Sequence, residues 1–303
     1  MDAQKRVILV IVLNGVVVLL ESLIGVISGS LALLSDAWHN LSDLLALVVT
    51  AIALKAAQRE ATSTMTYGYV RSEMMATLIN ASFLSLLMIW VGFEALDRLL
   101  HPVAVDGWLT MMTAAVALIV NSLSAYLLNT HTHTHHHEHD HLAVRAAFWH
   151  MASDALLSLA VVVGGVVMAL WQISWIDPAL SLLFVVVILM GNAPLLRRSF
   201  ASLIDRVDAA KVEELAAILL RHPMVHQVHD LHLSKPSSQD LFFSAHLVLD
   251  ETLTLKEVEA ILQSLRHELA HAGVTHALLQ PETSYYDHQS EGHCASHMPS
   301  HHP

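Results

Sequence analysis

Asp36-Ala37-Trp38-His39-Asn40-Leu41-Ser42-Asp43 sits inside the apolar run Leu31–Leu54, and Trp149-His150-Met151-Ala152-Ser153-Asp154 sits inside a second, Leu142–Leu170. In each, a histidine is followed four residues later by an aspartate. Residues four apart share one face of an α-helix, so each pattern sets an imidazole nitrogen beside a carboxylate oxygen. A charged side chain at the centre of a bilayer costs roughly 2.5–3.5 kcal/mol on insertion scales, so ionisable groups there have partners or a purpose. Two such helices face to face bring four donors together. Two neutral histidines and two ionised aspartates around a divalent cation sum to zero charge. Mixed nitrogen and oxygen donors in tetrahedral array suit Zn2+, whereas Mg2+ or Ca2+ would call for six or more oxygens. His39, Asp43, His150 and Asp154 are therefore the expected ligands of an intramembrane metal cage.

Composition points the same way. Apolar residues make up 54% of the chain and charged residues 14%, against about 45–50% and 25% in soluble domains. Apolar spans run over Val7–Ile27, Leu31–Leu54, Met74–Leu96, Trp108–Leu128, Leu142–Leu170 and Ile176–Leu196, each long enough for a bilayer that asks for roughly 20 residues. Six crossings leave both termini on one side. Lys5, Arg6, Lys55, Arg59, Arg71, Arg145, Arg197 and Arg198 fall near that side and only Arg98 flanks the other, so the positive-inside rule puts both termini in the cytoplasm. The opening Lys5-Arg6 and its apolar run read as the first span and not as a signal peptide, because the run is long, carries Asn14 and Glu21, and lacks a clear cleavage site. A single cysteine, Cys294, excludes a disulfide framework.

Helix rise tests whether the two patterns can meet. If the second span enters from outside at Leu31, His39 lies about 12 Å and Asp43 about 18 Å below the outer edge; if the fifth enters from inside near Ala143, His150 and Asp154 lie about 20 and 14 Å from that edge of a roughly 30 Å core. The levels match. Antiparallel packing sets His39 beside Asp154 and Asp43 beside His150. Asp36 shares their helical face, whether to guide ions or to meet water near the helix end, while Asn14, Glu21, Asn80, Glu94 and Asn121 read first as interhelical hydrogen-bonding groups.

The stretch Ser30–Asp43, together with Tyr67-Gly68-Tyr69-x-Arg71-x-Glu73 and the second His-x-x-x-Asp, resembles the cation diffusion facilitator family of metal/proton antiporters over nearly the whole chain. It is most similar to the bacterial zinc-exporting branch. The resemblance implies an α-helical membrane protein of six transmembrane helices followed by a small ferredoxin-like α+β cytoplasmic domain, embedded in the lipid of a bacterial inner membrane and working as a homodimer. It implies a secondary transporter that exchanges cytoplasmic Zn2+ for protons by alternating access, with cadmium as a second candidate substrate and no nucleic-acid partner. It also implies regulatory zinc in the cytoplasmic domain, where His229, His246, His276 and Glu282 stand at ligand positions, and a pairing of Arg71 with Asp205 at the membrane boundary. On this reading residues 1–205 form the transport domain, 206–282 the cytoplasmic domain and 283–303 a tail.

Hydropathy falls after Leu203-Ile204-Asp205-Arg206. Ala209–Arg221 and Leu255–His271 have helical period; Val225–Leu233, Leu241–Leu249 and Val274–Gln280 read as strands, giving an αββαβ order. The cytoplasmic loop 129–142 holds the tract His131–His141, and the tail holds His288, His293, His297, His301 and His302. Such tracts chelate Zn2+ in many arrangements without geometric selectivity. His267-Glu268-Leu269-Ala270-His271 matches the zincin protease motif, yet Gly273 and His276 each fall one residue early for its extended form. Transporter, zinc-binding sensor without flux and membrane metalloprotease are thus the competing readings. No P-loop is present to drive an ATP pump, so an ion gradient supplies the energy.

Overall fold

The computed structural model describes residues 3–57, 59, 61–129 and 138–283; side chains at 3–10, 47, 50, 54, 57, 125, 127–129 and 138–151 lie outside the description. The elements are α1 (Ala3–Ser28), α2 (Leu31–Ala57), α3 (Ser72–Leu100), α4 (Gly107–Asn129), α5 (Glu138–Trp171), α6 (Ile176–Leu203), α7 (Ala209–Leu220), β1 (Val225–Ser234), β2 (Phe242–Leu249), α8 (Leu255–His271) and β3 (His276–Glu282). They divide into two compact units, Met1–Val49 with Ile79–Leu196, and Thr50–Leu78 with Arg197–Pro303.

The first unit is built of helices that turn large apolar side chains outward. Leu19, Phe93 and Met190 are 71%, 70% and 72% exposed, which water would penalise and a hydrocarbon solvent favours. Among the described residues, α1, α3, α4, α5 and α6 are long and apolar enough to cross a membrane. The expected sixth, α2, is 27 residues long and carries Asp36, His39, Asn40 and Asp43 in its first half; it is not among these five.

Two devices hold α2 in place. At its N-terminus the carboxylate of Asp177, on α6, accepts from Ser30 Oγ at 2.6 Å, from the Leu31 amide at 2.7 Å and from the Ala32 amide at 3.2 Å. A helix start leaves its first amides without intrahelical partners and carries positive partial charge, so a buried carboxylate there satisfies both needs. Just before it, Gly29 turns the chain at φ 73°, a conformation that costs glycine nothing, and Arg98 Nη1 donates to the Gly29 carbonyl at 2.6 Å while its Nε pairs with Glu94 at 2.9 Å. Elsewhere α4 and α5 pack at backbone distance. A Cβ on Gly165 would lie 2.8 Å from the Met111 amide, and one on Gly107 would lie 2.5 Å from the Ala169 amide; small residues are what permit such approach.

In the second unit the αββαβ order appears as read from the sequence, with boundaries moved by at most two residues. β1 pairs antiparallel with β2, and β2 pairs parallel with β3. Alternation along β2 sends Phe243, Ala245, Leu247 and Leu249 into a core with Leu215 and Leu219 of α7 and Leu262, Leu265 and Leu269 of α8. Phe242, Ser244, His246 and Val248 take the other face. α8 starts with a capping box in which Thr254 and Glu257 each bond the other's backbone amide, so its first turn is closed before any packing is counted.

Candidate metal centres

On α2, His39 and Asp43 are one helical turn apart, with Nε2 and Oδ2 at 3.6 Å. From α5, Asp154 Oδ1 reaches the same nitrogen at 3.7 Å. The imidazole therefore lies between two carboxylates contributed by two helices. Asp154 is buried and the Asp43 side chain is 36% exposed, so of the two carboxylates Asp43 is the one open to the surroundings. His150 lies on α5 one turn before Asp154; its side chain is outside the described ones. Distances of 3.6–3.7 Å exceed a hydrogen bond and are close to the separation of two donors sharing a tetrahedral ion at about 2.0–2.2 Å from each.

A second cluster forms across the sheet of the other unit. Register places His229 of β1 directly opposite His246 of β2, and the parallel partner strand brings Glu282 beside them. Glu282 contacts His246 Nδ1 at 2.7 Å and His229 Nε2 at 3.2 Å, and one ligand atom from each of the three lies within 4.8 Å of the others. Asp230, which the sequence reading did not single out, meets His246 Nε2 at 3.4 Å. It sits where the β1–β2 register slips, with φ at 50°; the bulge turns its carboxylate onto the histidine face. A carboxylate on one ring nitrogen fixes the tautomer and turns the other, Nδ1, toward Glu282 as a candidate metal donor. Two imidazoles and a carboxylate suit Zn2+.

His276 does not join them. It pairs in register with Phe242, at the far end of β2 from His246, and its ring packs edge-on against Phe242 at 5.5 Å. It shares a face with Glu282 but lies six residues away, about 20 Å of strand. The protease-like pair His267 and His271 lies exposed on α8, its Nε2 atoms 3.1 Å apart. Among the described residues the only three-ligand group is His229, His246 and Glu282, so the motif lacks the third ligand of a zincin. Arg71 and Asp205 do pair, at 2.9 Å, within the one chain. The tract His131–His137 and the tail histidines lie outside the described residues.

A helical membrane unit with an intramembrane His-Asp group, joined to a small α/β unit with a His-Glu group, defines a class of membrane metal carriers. Residues 7–204 match the cation efflux transmembrane domain and residues 207–284 the cation efflux protein cytoplasmic domain, and the chain belongs to this cation efflux family, the cation diffusion facilitators. It is 32% identical to the cadmium, cobalt and zinc/H(+)-K(+) antiporter of Bacillus subtilis over 98% of this chain and 94% of that protein. It is 29% identical to the zinc transporter ZitB of Pectobacterium atrosepticum, over 99% and 91%. It is 31% identical to the metal cation efflux system protein CzcD of Cupriavidus metallidurans, over 92% and 86%. It is accordingly a membrane protein of a metal cation efflux family and not of a family of catalytic enzymes.

Proposed function

We propose that this protein exports Zn2+ from the cytoplasm in exchange for protons, using His39, Asp43, His150 and Asp154 as the transport site. The observation that carries this reading is the placing of His39 between Asp43 and Asp154 of two different helices, at 3.6 and 3.7 Å. α2 is then the sixth span, tolerated in lipid because its polar face is turned to the site and its start is capped by Asp177. With both termini in the cytoplasm, the cage lies near the midplane, where alternating access can open a fixed site to one side and then the other.

Charge balance supplies the coupling. Two carboxylates and a zinc ion are neutral together, and so are two carboxylates and two imidazolium groups. Proton arrival at the histidines removes the lone pairs that hold zinc; zinc arrival expels the protons. Cd2+ meets the same donors and is the expected second substrate. The αββαβ unit is read as a ferredoxin-like domain that joins two copies of the chain and retains zinc at His229, His246 and Glu282, with His276 as a weaker candidate.

Zinc entry into proteoliposomes is the test. An acid interior should accelerate uptake and protons should leave as zinc enters. Zinc movement at an unchanged rate after an ionophore collapses the gradient, with no proton counterflow, overturns the exchange. The cluster on the sheet also fits a sensor that binds zinc without moving it; absence of any flux from correctly inserted protein would favour that reading.

A further inference from the structure

Beside the cage lies a second group of polar side chains that zinc exchange does not use. Glu21 of α1 is fully buried, and Asp36 of α2, Asn121 and Ser124 of α4 and Ser158 of α5 are each at most 3% exposed. Asn40 Nδ2 reaches Glu21 Oε2 at 3.5 Å and Asp36 Oδ1 at 3.4 Å. Ser158 Oγ reaches Asp36 Oδ2 at 3.4 Å and is reached by Asn121 Nδ2 at 3.4 Å. The Glu21 and Asp36 carboxyl groups also lie within hydrogen-bond reach of each other, and Ser124 Oγ has no hydrogen-bond partner among the described residues.

Three features set this group apart from ordinary interhelical glue. Its contacts are uniformly long, where bonds in the same unit close to 2.6 Å at Ser30–Asp177 and 2.7 Å at Asn192–Ala81 and the usual length is about 2.9 Å. It buries two carboxyl groups against each other, a repulsion that a shared proton or a bound cation must relieve. Its donors can all be oxygens, since an asparagine amide turned by 180° offers Oδ1 where Nδ2 was assigned. Oxygens about 3.4–3.5 Å apart on the edges of an octahedron stand about 2.4–2.5 Å from its centre, too far for Mg2+ and within the range of larger hard cations. No nitrogen or sulfur ligand is present to favour zinc.

We propose that Glu21, Asp36, Asn40, Asn121 and Ser158 form a binding site for a hard cation larger than Mg2+, an alkali or alkaline-earth ion, distinct from the zinc cage and adjoining it through α2. Asp36 lies three residues, about 4.5 Å of helix rise, from His39. A cation seated there neutralises carboxylate charge next to the cage and so sets how readily zinc enters and leaves it. The inference rests on the transport reading given above.

The experiment uses the full chain in two measurements. In proteoliposomes at a fixed pH gradient, zinc flux is compared with N-methyl-D-glucamine, K+, Na+ or Ca2+ as the added cation. At least one metal ion should change wild-type flux several-fold relative to the organic cation, and Glu21→Gln should erase that difference while still carrying zinc. In detergent, the same ion should raise the thermal unfolding midpoint of the wild type and not of Glu21→Gln. Should Glu21→Gln fail to insert, Glu21→Asp keeps the charge and should shift the cation concentration needed for both effects. Zinc flux and unfolding midpoint that are indifferent to all three metal ions overturn the site, as does a cation effect that survives Glu21→Gln unchanged. Loss of zinc flux under every condition in the wild type would instead overturn the transport reading.

Discussion

The two candidate metal centres are built from similar donors on opposite kinds of scaffold. The first hangs its candidate ligands on α2 and α5, with contacts of 3.6 and 3.7 Å and one aspartate a third exposed. The other is stitched into a sheet whose backbone ladder fixes His229 opposite His246, with contacts of 2.7 and 3.2 Å and Glu282 buried. Helices can shift past one another by sliding side chains, whereas strands cannot shift without breaking hydrogen bonds or slipping a whole residue. A site meant to let go belongs on the first scaffold and one meant to hold belongs on the second.

The sharpest way to break this contrast is to remove one ligand from each. Asp154→Ala should lower zinc flux by two orders of magnitude or more in protein that still inserts, because loss of a carboxylate opens the tetrahedron and upsets the charge balance. Near-normal flux in that variant would sink the cage. Glu282→Gln should spare most of the turnover yet release zinc from the soluble unit. Wild-type protein should gain thermal stability on zinc addition, about 2.7 kcal/mol at a hundredfold excess over the dissociation constant, and the variant should lose that gain. Calorimetry with and without a chelator reads it directly.

Much of this arrangement was legible in the chain. The repeated His-x-x-x-Asp pattern and helix rise alone put His39 beside Asp154, because both depend on local periodicity. Asp230 was invisible, since its role comes from a slipped register that no alternation rule encodes. The Glu21–Asn40–Asp36 contacts and the cap at Asp177 join helices far apart in sequence, and single polar residues in apolar spans look alike until packing is known. His276 came from the family resemblance, which gives a position and not a distance; in the structure it lies opposite Phe242, at the other end of β2 from His246.

Acid should separate the two centres less strongly. Zinc affinity at both should weaken in acid, because imidazolium has no lone pair to give. The helix site, with its exposed flank, should discharge first, and flux and retained zinc measured across pH 5.5–7.5 on the same preparation give the order, with simultaneous loss counting against the contrast.

The smallest effect lies in α8, which both readings treat as passive support. Thr254→Ala should cost about 1 kcal/mol, the usual value of an N-cap, with zinc flux unchanged. Bonds from the Thr254 side chain and amide hold the Glu257 carboxyl below its ordinary value. A lowered folded-state value means its contribution is present above the unfolded-state value and fades as pH falls through the folded one. Glu257→Gln should therefore destabilise the unit at neutral pH and match the wild type in strong acid, as chemical denaturation at two pH values would show.

The cap at the start of α2 carries a consequence for how the chain is made. Leu31 waits for a carboxylate 146 residues downstream. A ribosome adding about 5–20 residues per second supplies it roughly 7–30 s later. Throughout that interval the most polar of the long helices has no acceptor for its first amides from α6. Its final seating is thus a late event in biosynthesis, and the proposed transport-site residues it carries, His39 and Asp43, settle only when the last long helix arrives.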